Sequence, residues 1–330
     1  MKKYLFLLIM LVLAMIFISG IVMAEQITMS LSYGGSEGGE DDISAKKFKE
    51  LLEAKTNGAI KVELFCCEQL GKEVDIVTSL ELGTVDMAIM GTTIHQQAAP
   101  EYNIWSAYYI FENRDEVLQI MNGPIGERVG EAMLKNKGIR MLGIGLRGPR
   151  HLTSNRPIMT AEEVKGLKIR IPLQPIYVKS WEKLGAFPEA IALGELYTAL
   201  KQGIVEAQEN PLDYIYSIAF YEVQKYVNLT AHQRSFFTYV MSEKFFQRLD
   251  EELQKAVLEA AEETAKFHNE LQQANEDIWR QKLEEKGMEF IEVDQDSFKE
   301  ALKDIPDEFA DTWAPGFYEE LKAELAKIRG

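Results

Sequence analysis

From residue 26 onward the chain moves repeatedly between two hydrophobic rhythms. QITMSLSY (26–33) alternates apolar and polar positions as a half-buried strand does. DDISAKKFKELLEAKTNG then sets Ile43, Phe48, Leu51 and Leu52 at helical spacing, and Asn57-Gly58 ends that helix. The exchange continues through strand AIKVELF, helix KEVDIVTSLELG, strand VDMAIMG, a helix from about Asp115 to Lys135, and strand IRMLGIG. Short units follow in LKIRIP, IYVKSWEKLG, LGELYTALKQG and IVEAQEN. Strands separated by helices predict an α/β fold with a largely parallel sheet, and the second run predicts a second, similar unit. From Ser242 to about Gly287 the pattern becomes one long proline-free helix. Its stripe of Leu253, Val257, Ala261, Ala265, Leu271, Trp279 and Leu283 is too broken for a coiled coil and predicts a helix lying across a globular body. No repeat or proline-rich linker separates the two units, so several chain crossings should join them.

The other strongly patterned segment is the N-terminus. Lys2 and Lys3 precede YLFLLIMLVLAMIFISGIVM, with Val22 and Ala24 at the small-residue positions of a cleavage site, so residues 1–24 read as a secretory signal peptide. An uncleaved anchor is the rival reading, because about 20 apolar residues can span a bilayer. Residues 1–24 contain two lysines and no acids, so their removal takes the formal charge from −16 to −18. That balance excludes nucleic acid and anionic membrane as partners, since phosphates are bound by basic surfaces. The two cysteines, Cys66 and Cys67, are adjacent. Neighbouring Cα atoms lie about 3.8 Å apart, inside the roughly 4.4 Å lower limit of ordinary bridges, which predicts unpaired packing residues. No histidine lies near them to complete a zinc site.

Candidate chemistry is sparse. GGSEG (34–38) fits G-x-S-x-G and makes Ser36 a candidate nucleophile. It follows the first strand, however, and Glu37, Glu40, Asp41 and Asp42 would oppose a developing oxyanion. The same acids disfavour a phosphate cradle. His95, His151, His232 and His268 have no metal-ligand spacing, and neither a Walker motif nor a dinucleotide fingerprint occurs, so no metal, cofactor or catalytic constellation is expected. RGPRHLTSNRP (147–157) is different, gathering three arginines in an acidic chain. Arg150 follows the strand IRMLGIG, Arg170 lies in LKIRIP, and the polar turn QENP (208–211) comes after both. Two guanidinium forks near strand ends predict a pocket for an anion, since the planar fork matches a carboxylate. Arg147 and Arg156 suit surface ion pairs equally well and are given no role.

KTNGAIKVELF with EQLG, ELGTVDMAIMG, GPRHLTSNRPI, VKGLKIRIP, ELYTALKQGIVEAQENP and YEVQKYVNLTAH, in this order, resemble the solute-binding proteins of tripartite ATP-independent periplasmic (TRAP) transporters, the DctP type. The resemblance covers essentially the whole chain after residue 24. It implies an α/β two-domain periplasmic binding protein fold with a ligand cleft between the domains and a long helix bracing both. The expected limits are residues 25–147 plus 236–275 for one domain and 148–235 plus 276–330 for the other. By the same resemblance Arg170 makes the principal salt bridge to a ligand carboxylate, and Arg150 and Asn210 complete the carboxylate site. Glu73 and His232 face the cleft, and Gly91 to Thr93, including Thr92, and the loop Gly34 to Ser36 line it. The sialic-acid-binding branch has an aromatic residue at Leu193, an asparagine at Leu173 and a glutamate at Gly91, so sialic acid itself is not expected.

The function implied is a monomeric periplasmic protein that captures a carboxylated small molecule and delivers it to a TRAP membrane permease, without catalysis. Like-charge repulsion at Glu73 disfavours a second carboxylate, whereas sugar hydroxyls could donate to it, so a hexuronate or aldonate is the expected ligand. The alternatives are a dicarboxylate or keto acid as ligand, a sensory partner of a membrane receptor, and a secreted serine hydrolase using Ser36.

Overall fold

The computed structural model describes residues 26–330, so the expected leader at 1–24 lies outside the described residues. Among the described residues nine strands form one mixed sheet: β1 (Ile27–Tyr33), β2 (Ile60–Phe65), β3 (Met87–Met90), β4 (Ile139–Ser154), β5 (Lys168–Ile171), β6 (Phe187–Ala190), β7 (Ala207–Asn210), β8 (Tyr226–Ser242) and β9 (Glu289–Ile291). Their order is β2-β1-β3-β8-β4-β7-β5-β6, with β9 beside β8. The parallel pairs β1–β2, β1–β3, β5–β6 and β5–β7 agree with the strand–helix alternation of the sequence. The centre does not. β4 runs antiparallel to both β7 and β8, and β3 runs antiparallel to β8.

The two central strands are the main structural surprise. β4 continues nine residues past the apolar IRMLGIG segment, and β8 takes up YVNLTAHQRSFFTYVMS, where apolar and polar residues mix without a clear period. Their pairing runs from Ile139↔Ser242 at one end to Ser154↔Tyr226 at the other, with register shifts that include one between Leu146 and Pro149. Each strand therefore serves both ends of the sheet. The expected helix from Asp115 to Lys135 is two helices, Arg114–Met121 and Pro124–Lys137. Pro124 lacks an N–H and suits the first turn of a new helix, so the chain breaks at Asn122-Gly123 before it.

Three apolar cores hold the layers. Met29, Leu31, Phe48, Leu52, Val257 and Ala261 fasten the helix Glu40–Lys55 and the beginning of the long helix to one end of the sheet. Leu196, Leu200, Ile215, Phe220, Trp279 and Leu283 fasten the end of that long helix to the other. A larger core runs between the two ends, from Leu80 and Trp105 to Ile169, Trp181 and Leu321. The long helix spans Glu251–Glu285, and Asp250 caps it by accepting from Leu253 N–H. Its buried face passes from Val257 and Ala261 through Thr264, His268 and Gln272 to Trp279 and Leu283. The polar middle explains the broken stripe. His268 donates from Nε2 to Leu146 O at 2.6 Å, which ties the helix to β4 just before its register shift.

Cys66 and Cys67 are joined to each other, which corrects the expectation that they stay unpaired. Left-handed backbone at Cys67 (φ 59°) and Glu68 (φ 58°) turns the chain so that the two sulfurs meet across their shared peptide. The usual Cα limit describes cysteines brought together from separate segments.

Two glycines in the helix Pro124–Lys137 test the packing behind the broken helix. A Cβ at Gly126 would lie 1.9 Å from Met121 O, a backbone atom, whereas one at Gly130 would meet Met141 Cβ at an ordinary 3.5 Å. Gly126→Ala is expected to destabilise by about 1–3 kcal/mol, and Gly130→Ala to stabilise by roughly 0.5–1 kcal/mol. Urea unfolding of both variants reads the difference; equal effects would contradict this packing.

Candidate ligand-binding site

The strands of the sheet's two ends deliver their C-terminal residues to one cavity of about 280 Å³. This volume is close to the lower end of small-molecule sites, roughly 300–1,000 Å³, and suits a compact ligand. Tyr33 ends β1 and Gly34 follows it, Gly91 to Thr93 follow β3, Arg170 lies in β5 with Pro172 just after it, and Asn210 ends β7. Two contacts between segments from the sheet's opposite ends close over the space: Lys72 Nζ to Glu195 Oε1 at 2.7 Å, and Gly194 N–H to Glu68 Oε2 at 3.0 Å. Gln174 links three segments, donating to Thr92 Oγ1 at 2.9 Å and accepting from Ser106 Oγ.

β7 explains much of the chemistry. Its sequence AQEN is entirely buried, so each polar side chain needs a partner. Gln208 donates to Thr153 Oγ1 at 2.8 Å and Asn210 donates to Gln208 Oε1 at 2.6 Å. Glu209 lies opposite Leu152 in the register, next to Arg150. Arg150 grips the Glu209 carboxylate in two-pronged fashion, Nε to Oε2 and Nη2 to Oε1 at 2.8 Å. His232 Nε2 lies 3.1 Å from the same Oε2, and its Nδ1 lies 2.8 Å from Thr230 Oγ1. Thr230 Oγ1 also accepts from Leu152 N–H. One proton arrangement satisfies all three groups: Thr230 donates to Nδ1, and Nε2–H donates to Glu209. Burial would raise the Glu209 pKa, but Arg150 and His232 outweigh it and hold it at about 2. Burial lowers the His232 pKa, and the neighbouring carboxylate only partly offsets this, so the ring is neutral at pH 7.

Arg170 has no such partner. It is 4% exposed, donates from Nε to Ile191 O at 2.7 Å, and has no carboxylate within ion-pair distance among the described residues. Burial pulls its pKa down to about 10, against the opposing pull of Glu209, Glu68 and Glu73, while Arg150 pushes the same way as burial. The wall therefore carries one arginine already neutralised and one whose charge is unmatched.

Of the residues singled out in the sequence, Arg170, Arg150, Asn210, Glu73 and Thr92 line this cavity; His232 and Ser36 do not. His232 is 1% exposed and stands behind Arg150 with both ring nitrogens occupied, packed edge-on against Tyr108 and Trp181. In this position it holds Glu209 and leaves neither ring nitrogen free for the cavity. Ser36 accepts through its carbonyl from Gly39 N–H. The nearby N–H groups of Gly35 and Gly38 are taken by the Asp41 and Asp42 carboxylates at 2.7 and 2.8 Å, which removes the donors an oxyanion would need. Glu73 Oε1 accepts from Gly91 N–H at 2.8 Å. Sequence reasoning missed Gln174, Tyr177 and Arg147, all of which line the cavity. The two prolines flanking LQ in IPLQP were the available sign of a shaped loop at Gln174. Arg156 lies at the surface and donates to Glu163 O, away from the cavity.

Residues 34–312 match the family described as bacterial extracellular solute-binding protein, family 7 (DctP). A solute-binding protein of Roseobacter denitrificans is 38% identical over 87% of this chain and 88% of its own length. Its crystal structure, a TRAP periplasmic solute-binding protein with bound L-galactonate, superposes with a TM-score of 0.85, covering 91% of this chain and 98% of that one at 34% identity. The 2,3-diketo-L-gulonate-binding periplasmic protein YiaO of Escherichia coli is 29% identical over 84% of this chain and 88% of its own. A TRAP periplasmic solute-binding protein of Sulfurospirillum deleyianum with bound succinate is 25% identical, with a TM-score of 0.86 over 91% of this chain and 99% of that one. The chain belongs to the DctP family of TRAP solute-binding proteins.

Proposed function

We propose that this protein captures a polyhydroxy monocarboxylate, a hexonate or hexuronate, in the periplasm and delivers it to the membrane permease of a TRAP transporter. The observation that carries the reading is Arg170: a buried guanidinium with no carboxylate of its own, facing a small cavity. A ligand carboxylate would supply the missing counter-charge, and the Asn210 amide, which donates to Gln208 Oε1, lines the same cavity. Arg150, matched by Glu209, adds shape and donors without adding net charge. Glu73, which also lines the cavity, offers a carboxylate that accepts from hydroxyls and repels a second carboxylate. The L-galactonate of the Roseobacter relative and the diketogulonate named for YiaO are acids of this class. Succinate in the Sulfurospirillum protein is not, so the same fold accommodates both kinds. The register shift of β4 and β8 near Leu146 and the long helix alongside are, on this reading, where the two domains move about the cleft.

Removal of Arg170 should cost about 2–5 kcal/mol of binding, roughly thirtyfold to several thousandfold in affinity. Arg170→Lys should also bind poorly, because an ammonium cannot reproduce the two-pronged geometry. Calorimetry showing near-native affinity for Arg170→Ala with an intact fold would reject the anchor.

The acid class is read from a panel on mature protein beginning at Glu25, its leader removal checked by mass. Hexonates and hexuronates should raise the melting temperature, by the equivalent of about 2.7 kcal/mol at 100 times the dissociation constant, while succinate, malate and fumarate should not. Tight succinate binding with no response to any sugar acid would favour the dicarboxylate alternative.

A further inference from the structure

Beside the anchor, a further cation with no assigned role lines the same cavity. Arg147 lies in the irregular stretch of β4 between Leu146↔Phe236 and Pro149↔Arg234, and Ser235 lies in the matching stretch of β8. Its guanidinium is clamped between two aromatic rings, 4.4 Å from the centroid of Tyr214 and 4.4 Å from that of Phe237. The clamp fixes the plane of the fork and excludes water from its faces. Arg147 Nε and Nη2 are nevertheless buried without a hydrogen-bond partner, and so is Ser235 Oγ, on a side chain only 4% exposed. Buried donors of this kind are normally satisfied, so their pairing falls to something that enters the cavity both residues line.

Gly91 sets the spacing. A Cβ built on it would meet Glu73 Oε1 at 3.3 Å and Arg147 Nη1 at 3.7 Å. The absence of a side chain thus leaves a gap with a carboxylate acceptor on one side and a guanidinium donor on the other. Behind Arg147 lie the carboxyls of Asp41, Asp213 and Glu40, whose pKa values burial raises on balance, that of Asp213 to about 6 and that of Glu40 to about 9, with Arg147 offsetting this only in part. Arg147 therefore presents unpaired N–H groups to the cavity, with Glu73 as the carboxylate across the Gly91 gap. A hydroxyl both accepts and donates, and adjacent hydroxyls can accept from Arg147 while donating to Glu73. A carboxylate would pair with Arg147 only by confronting Glu73.

We infer that Arg147, with Ser235 and Glu73 around Gly91, forms a second recognition pole that reads the hydroxyl-bearing end of the ligand and so determines specificity for polyhydroxy acids. The inference rests on the acid-binding reading and extends it to a residue with no role in the carboxylate anchor.

The test compares L-galactonate with 2-hydroxyhexanoate, which keeps the carboxylate end and chain length but lacks the distal hydroxyls. Calorimetry is run on the wild type, Arg147→Met, Ser235→Ala and Gly91→Ala, with thermal unfolding to confirm that each variant folds. Arg147→Met should lose roughly 10- to 100-fold for galactonate and less than about threefold for 2-hydroxyhexanoate, and Gly91→Ala should shift the preference the same way. Equal losses for both acids in Arg147→Met, or a galactonate preference retained in both Arg147→Met and Gly91→Ala, overturn the pole while leaving the anchor standing. Should Arg147→Met fail to fold, Gly91→Ala and Ser235→Ala decide by the same preference. Wild-type protein that binds neither acid overturns the acid reading and this inference together.

Discussion

Two arginines share one wall of the cleft, and only one of them brings its own counter-ion. Arg150 is locked to Glu209, and Glu209 is held in turn by a neutral His232. Arg170 is as deeply buried as Arg150 but lacks a carboxylate partner. The neutralised pair shapes the wall and leaves its field to the unmatched member. That division also resolves the apparent conflict between a strongly acidic chain and an acidic ligand. Long-range repulsion is screened beyond about 8 Å at physiological salt, and within the cavity Arg170 is a buried positive charge with no ion-pair partner among the described residues.

The supporting architecture follows from that wall. Glu209 can meet Arg150 only because β7 pairs with the far half of β4, and His232 can stand behind them only because β8 pairs with the same strand. The two long antiparallel strands thus carry both the connection between the sheet's ends and the buried polar network. The long helix runs beside them and changes from an apolar to a polar buried face where His268 meets β4. A buried polar seam offers hydrogen bonds that can be exchanged, which suits the domain movement proposed for this region.

Much of this was legible in the residues. Arg170 stands out because a charged side chain in the apolar LKIRIP needs a reason, and the parallel outer strands follow from strand–helix alternation. β8 was not legible: YVNLTAHQRSFFTYVMS is buried on both faces, so its polar residues are satisfied by partners distant in sequence and no period-two signal survives. His232 was misplaced for a related reason, since one histidine near a site is equally consistent with touching the ligand and with orienting the residue that does. Arg147 was given no role because its partners are aromatic rings and a glycine gap assembled from β3, β4, β8 and the helix Leu212–Ser217. The pairing of Cys66 with Cys67 depended on left-handed backbone that two non-glycine residues do not announce.

An unmatched buried charge should be a liability in the empty protein. A pKa pulled from 12.5 to about 10 corresponds to a penalty on the order of 3 kcal/mol, against which the Nε bond to Ile191 O returns about 1 kcal/mol. The most direct measurement is urea unfolding of ligand-free protein, stripped by unfolding and refolding, for the wild type and Arg170→Met. If Arg170 waits for a ligand's carboxylate, the methionine variant should be more stable by about 1–2 kcal/mol. A variant destabilised by several kcal/mol would mean that Arg170 is held by the protein's own charges and would contradict the account.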